Sequence, residues 1–321
     1  MDRTMLGLVE WLFSILLKKR TPTPTIDVAW GDPVAREIRT ALAAGDFRAA
    51  EARLGTAPDA QTLEHWIHAC SDWDGRPEWL DQWVSRSPAS PLAYLVRGEH
   101  GTHWAWQARS SRRADQVDDA AFAEFFRRLE QADADLEAAQ RLDPDSALPA
   151  ALAIRVRMGL QSEEEHTRAT FDHAIARAPT LVGAHRAMQT ALCAKWGGSH
   201  AAMFAFAREH CDRSAALQVL VPMAHIEALI DSEDVDERRE YMRRKPVREE
   251  LAAAFARFGE GRDRSATRSG ANAFALCFAL ARDVSRCDRA FALTEGLVAR
   301  MPWLYFGDPL AQYTKVRASV A

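Results

Sequence analysis

Residues 119–144 read DAAFAEFFRRLEQADADLEAAQRLDP, and the spacing of their apolar side chains decides the fold. Phe122, Phe125, Phe126, Leu129, Ala132, Leu136 and Ala139 recur three and four residues apart, so they share one face of a long helix. That helix must stop at Asp143-Pro144, because proline has no amide proton and drives its predecessor out of the helical region. The pattern restarts on Leu148, Ala151, Leu152 and Val156 and breaks near Gly159. It resumes behind Ser162, with Glu165 three residues on as in a capping box. Helices separated by such short turns are expected to pack as antiparallel pairs.

Outward from this stretch a period emerges. Leu136, Phe171 and Phe206 stand 35 residues apart, as do the helix-ending Pro144 and Pro179. Two helices in about 34 residues is the tetratricopeptide spacing, in which one pair cannot bury its face alone and stacks on its neighbours. Strict alternation is almost absent from the chain, so the expected fold class is all-α: a degenerate tetratricopeptide-like α-solenoid with an irregular insertion. The period fails upstream, where Pro88 precedes Pro144 by 56 residues, and residues 97–117 read as the insertion. The expected organisation is an apolar or amphipathic helix over 1–20, a Thr/Pro linker over 21–31 and a Trp-rich helical region over 32–117. Helix pairs follow over 118–230, a charged and flexible connector with a helix over 231–270, and a helical hairpin with its tail over 271–321.

A length of 321 residues with 48% hydrophobic and 27% charged side chains suffices for a large core, without disulfides or metal. The formal net charge of −4 supplies no basic field, which argues against nucleic acid as a partner. Cys70, Cys193, Cys211, Cys277 and Cys287 are odd in number, scattered and free of any CxxC pair, as expected of buried thiols in the reducing cytoplasm. Residues 5–17 are apolar but interrupted by Glu10 and Ser14, and Lys18, Lys19 and Arg20 follow instead of preceding them. That arrangement fits neither a secretory signal nor a membrane span of ~20 residues. It leaves protein packing or peripheral membrane contact through residues 5–20.

Tryptophan is frequent, and Trp66, Trp79 and Trp83 lie at helical spacing, as expected of core residues. Trp104, Trp106 and Arg109 flank the break in the period and precede the polar Ser110-Ser111-Arg112-Arg113, which makes them either structural residues or candidate binding residues on an irregular loop. Trp196-Gly197-Gly198-Ser199 reads as a turn, with glycine at a helix C-terminus and Ser199 capping the next helix. Such a turn does not need Lys195 or Trp196, so both join the candidate partner-binding residues. His225 shares a face with Val221 and Ala228, as a buried core histidine or a titratable switch would. His65 with His68 and His100 with His103 have ligand spacing, but no third ligand stands at a recognisable interval. No nucleophile elbow, phosphate loop or dinucleotide fingerprint occurs in context, so neither a catalytic residue nor a cofactor is expected.

Several strings together resemble a bacterial family of tetratricopeptide-like repeat proteins that carries a domain of unknown function. They are Leu95-Val96-Arg97-Gly98, Trp104-Ala105-Trp106-Gln107-Ala108-Arg109, Lys195-Trp196-Gly197-Gly198-Ser199-His200, Ala224-His225-Ile226-Glu227, Pro302-Trp303-Leu304-Tyr305 and Gly307-Asp308-Pro309. The resemblance runs from residue 32 to the C-terminus, and Trp-Gly-Gly is its most specific part. It implies the helical-repeat fold and no activity. From these readings the expected function is a non-enzymatic scaffold holding a peptide or protein partner in a helical groove. The alternatives are an enzyme or small-ligand protein with a pocket between the Trp-rich insertion and the repeats, and a membrane-associated scaffold tethered by its first helix.

Overall fold

A computed structural model describes residues 22–109, 119–232, 234–261 and 263–320. The helix expected over 1–20 and the Ser110-Ser111-Arg112-Arg113 string lie outside the described residues, as does the side chain of Arg109. Sixteen α-helices run through the described chain. They are α1 (Pro33–Ala43), α2 (Phe47–Leu54), α3 (Ala60–Ser71), α4 (Trp79–Arg86), α5 (Pro91–Arg109), α6 (Asp119–Leu142), α7 (Leu148–Gly159) and α8 (Glu164–Arg177). Then follow α9 (Val182–Ala191), α10 (His200–His210), α11 (Leu220–Asp231), α12 (Val235–Tyr241), α13 (Lys245–Phe258), α14 (Arg264–Leu280), α15 (Val284–Thr294) and α16 (Pro309–Ala318). Among the described residues the one β-type contact is an isolated bridge between Thr25 and Leu297. The fold is all-α, as the spacing of apolar residues predicts.

Eight of these helices begin on an Asp or Ser whose side chain accepts a backbone N–H, among them Asp32, Asp46, Asp59, Ser199 and Asp263. Each cap satisfies a donor that the helix cannot satisfy itself. Helix α6 packs on α5 and α7, α7 on α8 and α9, and α9 on α10 and α11. The core runs through the whole array, from Ile38 and Leu42 to Phe274, Phe278, Trp303 and Tyr313.

Four expectations change. Residues 97–109 are no irregular insertion: Trp104 and Trp106 stand on α5, a continuous helix. Gly98 and Gly101 let α6 approach closely, since a Cβ at either would stand about 3 Å from Leu136 or Ala132. Ser162 does not cap α8, whose N-cap residue Glu163 makes no side-chain cap bond. The connector expected up to residue 270 ends early, because Asp263 caps α14 and Gly270 is buried inside that helix against the Phe258 ring. The described part of the Thr/Pro stretch is docked, not free. Thr25 donates its N–H to Gly296 O at 3.0 Å and accepts from Val298 N at 2.8 Å, and Arg317 donates to Pro22 O.

Candidate functional site

The array surrounds a cavity of about 380 Å³, walled by α3, α7, α9, α14 and the segments around Trp30 and Arg300. Its construction starts with the N-terminus of α9. Leu181, the N-cap residue, has no polar side chain, so the first amides of the helix need partners from elsewhere. Helix α3 supplies them: Gln61 Oε1 accepts from Val182 N at 2.9 Å, and Glu64 Oε2 accepts from Gly183 N at 3.1 Å. Residue 183 is glycine because a Cβ there would collide with the Glu64 carboxylate. Burial pushes the Glu64 carboxyl above its usual pKa, against the pull of the neighbouring His68 charge.

One turn beyond Gly183, Arg186 lines the same cavity. Among the described residues its guanidinium forms no hydrogen bond or ion pair; Glu64 attracts it and Arg155 repels it. Arg155, on α7, has only a distant carboxylate, Glu99 Oε1 at 3.6 Å. His68, one turn beyond Glu64 on α3, contributes a third group to the wall and bonds through Nδ1 to Glu99 Oε1 at 2.9 Å. Glu99 sits behind that wall on α5, with its side chain 4% exposed. Burial works against the Glu99 charge, yet His68 and Arg155 hold its pKa below the usual carboxylate range. Burial likewise opposes a charged His68, and Glu99 overrides it, raising the imidazole pKa. The two directions agree on an ion pair.

The other charges at the cavity are answered locally. Arg300 pairs with Asp72 at 2.6 Å, and His103 approaches the same carboxylate at 3.2 Å. Burial alone would raise the Asp72 pKa, but the bonds from His103 and Arg300 bring it down to about 2. Asp27 pairs with Arg36. His65 faces Asp32 at 3.5 Å, and burial lowers its pKa, which favours the neutral ring. One corner therefore collects His68, Arg155 and Arg186 beside two buried carboxylates, Glu99 and Glu64.

Of the residues singled out in the sequence, Trp106 and Trp196 do meet, edge to face with ring centroids 5.3 Å apart, and Phe125 packs on Trp106 at 5.0 Å. Trp196 and Phe125 also line a second cavity of about 450 Å³, together with Met158 and Met188. Lys195 borders it but is already neutralised, with Nζ 2.6 Å from Glu227 Oε2 and 2.9 Å from the Tyr305 hydroxyl. Trp104 is held apart from this cluster beneath Arg128, whose Cζ lies 3.4 Å from the ring centroid. His225 is elsewhere again, buried between the Tyr241 hydroxyl at 2.9 Å and Glu250 Oε2 at 3.2 Å. The hydrogen bonds from His225 and Arg208 hold the Glu250 pKa at about 2. The turn at Trp196 forms as expected, with Gly197 at φ +90° and Ser199 capping α10.

Sequence reading passed over Glu64, Glu99, Arg155 and Arg186, and it considered His68 only as a metal ligand. One signal was available: a helix start at Val182 preceded by Leu181 has no local cap and requires a remote one. Among the described residues, no group of three or more His, Cys, Asp or Glu is placed to hold a metal ion. No protein-family model, curated protein or solved structure matches the chain.

Proposed function

We propose that this chain binds a small molecule in its central cavity and holds an anionic group of that molecule on Arg155 and Arg186. One observation carries the reading: a half-buried guanidinium, Arg186, lines a cavity and has no ion-pair partner among the described residues. Glu64 attracts this guanidinium but makes no hydrogen bond or ion pair with it, so its donors are open to a bound anion. The cavity volume of about 380 Å³ is that of a metabolite-sized site, which favours a small molecule over a polypeptide.

This is the pocket reading of the sequence, moved from the Trp-rich segment to the centre of the array. The contacts of α6 to α11, each with the next helix or the next but one, support the tetratricopeptide-like arrangement. An open peptide groove has less support, because Gln61 and Glu64 of α3 reach across to α9, and Thr25 joins Leu297. A protein partner keeps one argument in its favour, the exposure of Leu304, Phe306 and Leu310 within a short C-terminal span. Among the described residues no helix is long and apolar enough to cross a membrane.

Mass spectrometry under non-denaturing conditions tests the proposal. The protein purified from its host should retain a small molecule, and Arg186→Met should lose it without a lower melting temperature, since the variant also relieves repulsion with Arg155. A retained polypeptide in place of a small molecule, or a small molecule retained equally by Arg186→Met, would overturn it.

A further inference from the structure

The central cavity does more than offer two arginines, because Glu99 organises a third group beside them. Its Oε1 is 2.9 Å from His68 Nδ1 and 3.6 Å from Arg155 Nη1, so one buried carboxylate orients two side chains of the wall. His68 engages Glu99 through Nδ1, and no hydrogen bond from its Nε2 occurs among the described residues. Arg186 completes the corner from α9. We infer that the bound group is a dianion of the phosphate-monoester type, held by Arg155, Arg186 and the protonated Nε2 of His68, with Glu99 as the positioning residue. Resting on the anion-binding reading above, this assigns the chemical class of its ligand.

The chemistry favours a dianion over a single carboxylate. Three cationic groups on three helices, His68, Arg155 and Arg186, line this part of the cavity, and a tetrahedral oxyanion has enough acceptor oxygens to engage all three, whereas a carboxylate has two. Arginine's planar fork suits phosphate oxygens, and charge-assisted bonds of this kind are the stronger ones. The groups around His68 are Glu64 and His65 on its own helix, Glu99 on α5, Arg155 on α7 and Arg186 on α9, with the Asp72–Arg300 pair at the cavity edge. Of these, His65 is held neutral by burial, and Glu64 is shifted up, against protons leaving at the ordinary carboxylate pH. Glu99 raises the pKa of His68, so the imidazole keeps its proton to higher pH than a free imidazole does and loses that charge as pH rises further. Affinity for a dianion therefore falls as pH rises through that titration.

Sulfate isolates the effect because it stays a dianion throughout pH 5.5–8.5, about the span of the imidazole titration. Isothermal titration of the exhaustively dialysed full chain with sulfate, inorganic phosphate, methyl phosphate and acetate is the experiment. Sulfate should bind roughly tenfold more tightly at the acid end than at the alkaline end, the difference expected for one lost charge contact. Acetate should bind more weakly than sulfate at every pH. His68→Gln should flatten the pH dependence, Glu99→Gln should move its midpoint to lower pH, and Glu64→Gln, which keeps the acceptor for Gly183, should move it less, because Glu99 raises the imidazole pKa more than Glu64 does. Methyl phosphate binding more tightly than inorganic phosphate identifies an esterified ligand, and the reverse order identifies the free ion. Acetate equal to sulfate, no sulfate binding, or a pH dependence abolished by Glu64→Gln but not by His68→Gln would overturn the assignment. If those results came with a small molecule still retained by the wild type and lost in Arg186→Met, the dianion would fall and the binding function would stand.

Discussion

His185 is 0% exposed on α9, where Phe171, Phe206 and His210 surround its ring. Burial holds its pKa down at about 4, against the hydrogen bond from Nδ1 to Leu181 O, whereas the unfolded chain titrates near 6.5. The sign follows from linkage. Between these values the unfolded state binds more protons, so this site's contribution is fully present above about pH 6.5 and is lost as pH falls toward about 4. Chemical denaturation of wild type and His185→Gln should show a wild-type advantage that is largest near pH 7 and shrinks on acidification; an advantage constant with pH would contradict the neutral, buried ring. Residues of this kind were legible. His225 was expected to be a buried, hydrogen-bonded histidine and is one, and all five cysteines are buried and unpaired. Arg186 was not legible, because an arginine on an amphipathic helix looks the same in sequence whether it meets solvent or a cavity. Only the packing of α3 against α9 distinguishes the two.

At the scale of the helix, the unusual joint is the N-terminus of α9, whose amides are satisfied by a helix about 120 residues earlier in the chain. Because Glu64 occupies the space a side chain at 183 would need, Gly183→Ala should destabilise the protein by about 1–3 kcal/mol, the usual cost of forcing extra volume into a packed site. Shortening the obstacle should help: in a Glu64→Ala background the same substitution should cost clearly less, since residues in contact do not contribute additively. Equal costs in both backgrounds, measured by denaturant titration, would show that the carboxylate does not set the glycine. The legibility of helices follows the same logic. Helix α6 has one apolar face and a proline stop, and both were readable. Helix α5 packs against α3, α4, α6 and α7, so it has no single polar face, and its register vanished from the periodicity. Its tryptophans therefore looked like loop residues.

Across the whole molecule, the described chain brings its two ends together. Thr25 pairs with Leu297, Arg268 donates to Trp30 O at 2.6 Å, and Arg300 reaches Asp72. Such contacts join residues more than 200 positions apart, and no local pattern announces them. They bring the segments around Trp30 and Arg300 onto the helices that wall the cavity, and the candidate site moved there from Trp106 and Trp196 for that reason. The most direct test is a crystal structure of the protein isolated from its own host, inspected at the cavity between α3, α7 and α9. Continuous density for a small molecule is expected within hydrogen-bonding distance of the Arg186 guanidinium and of Arg155. A cavity holding only water in protein of full activity or full partner occupancy, with Arg186 turned onto a carboxylate of its own chain, would contradict it.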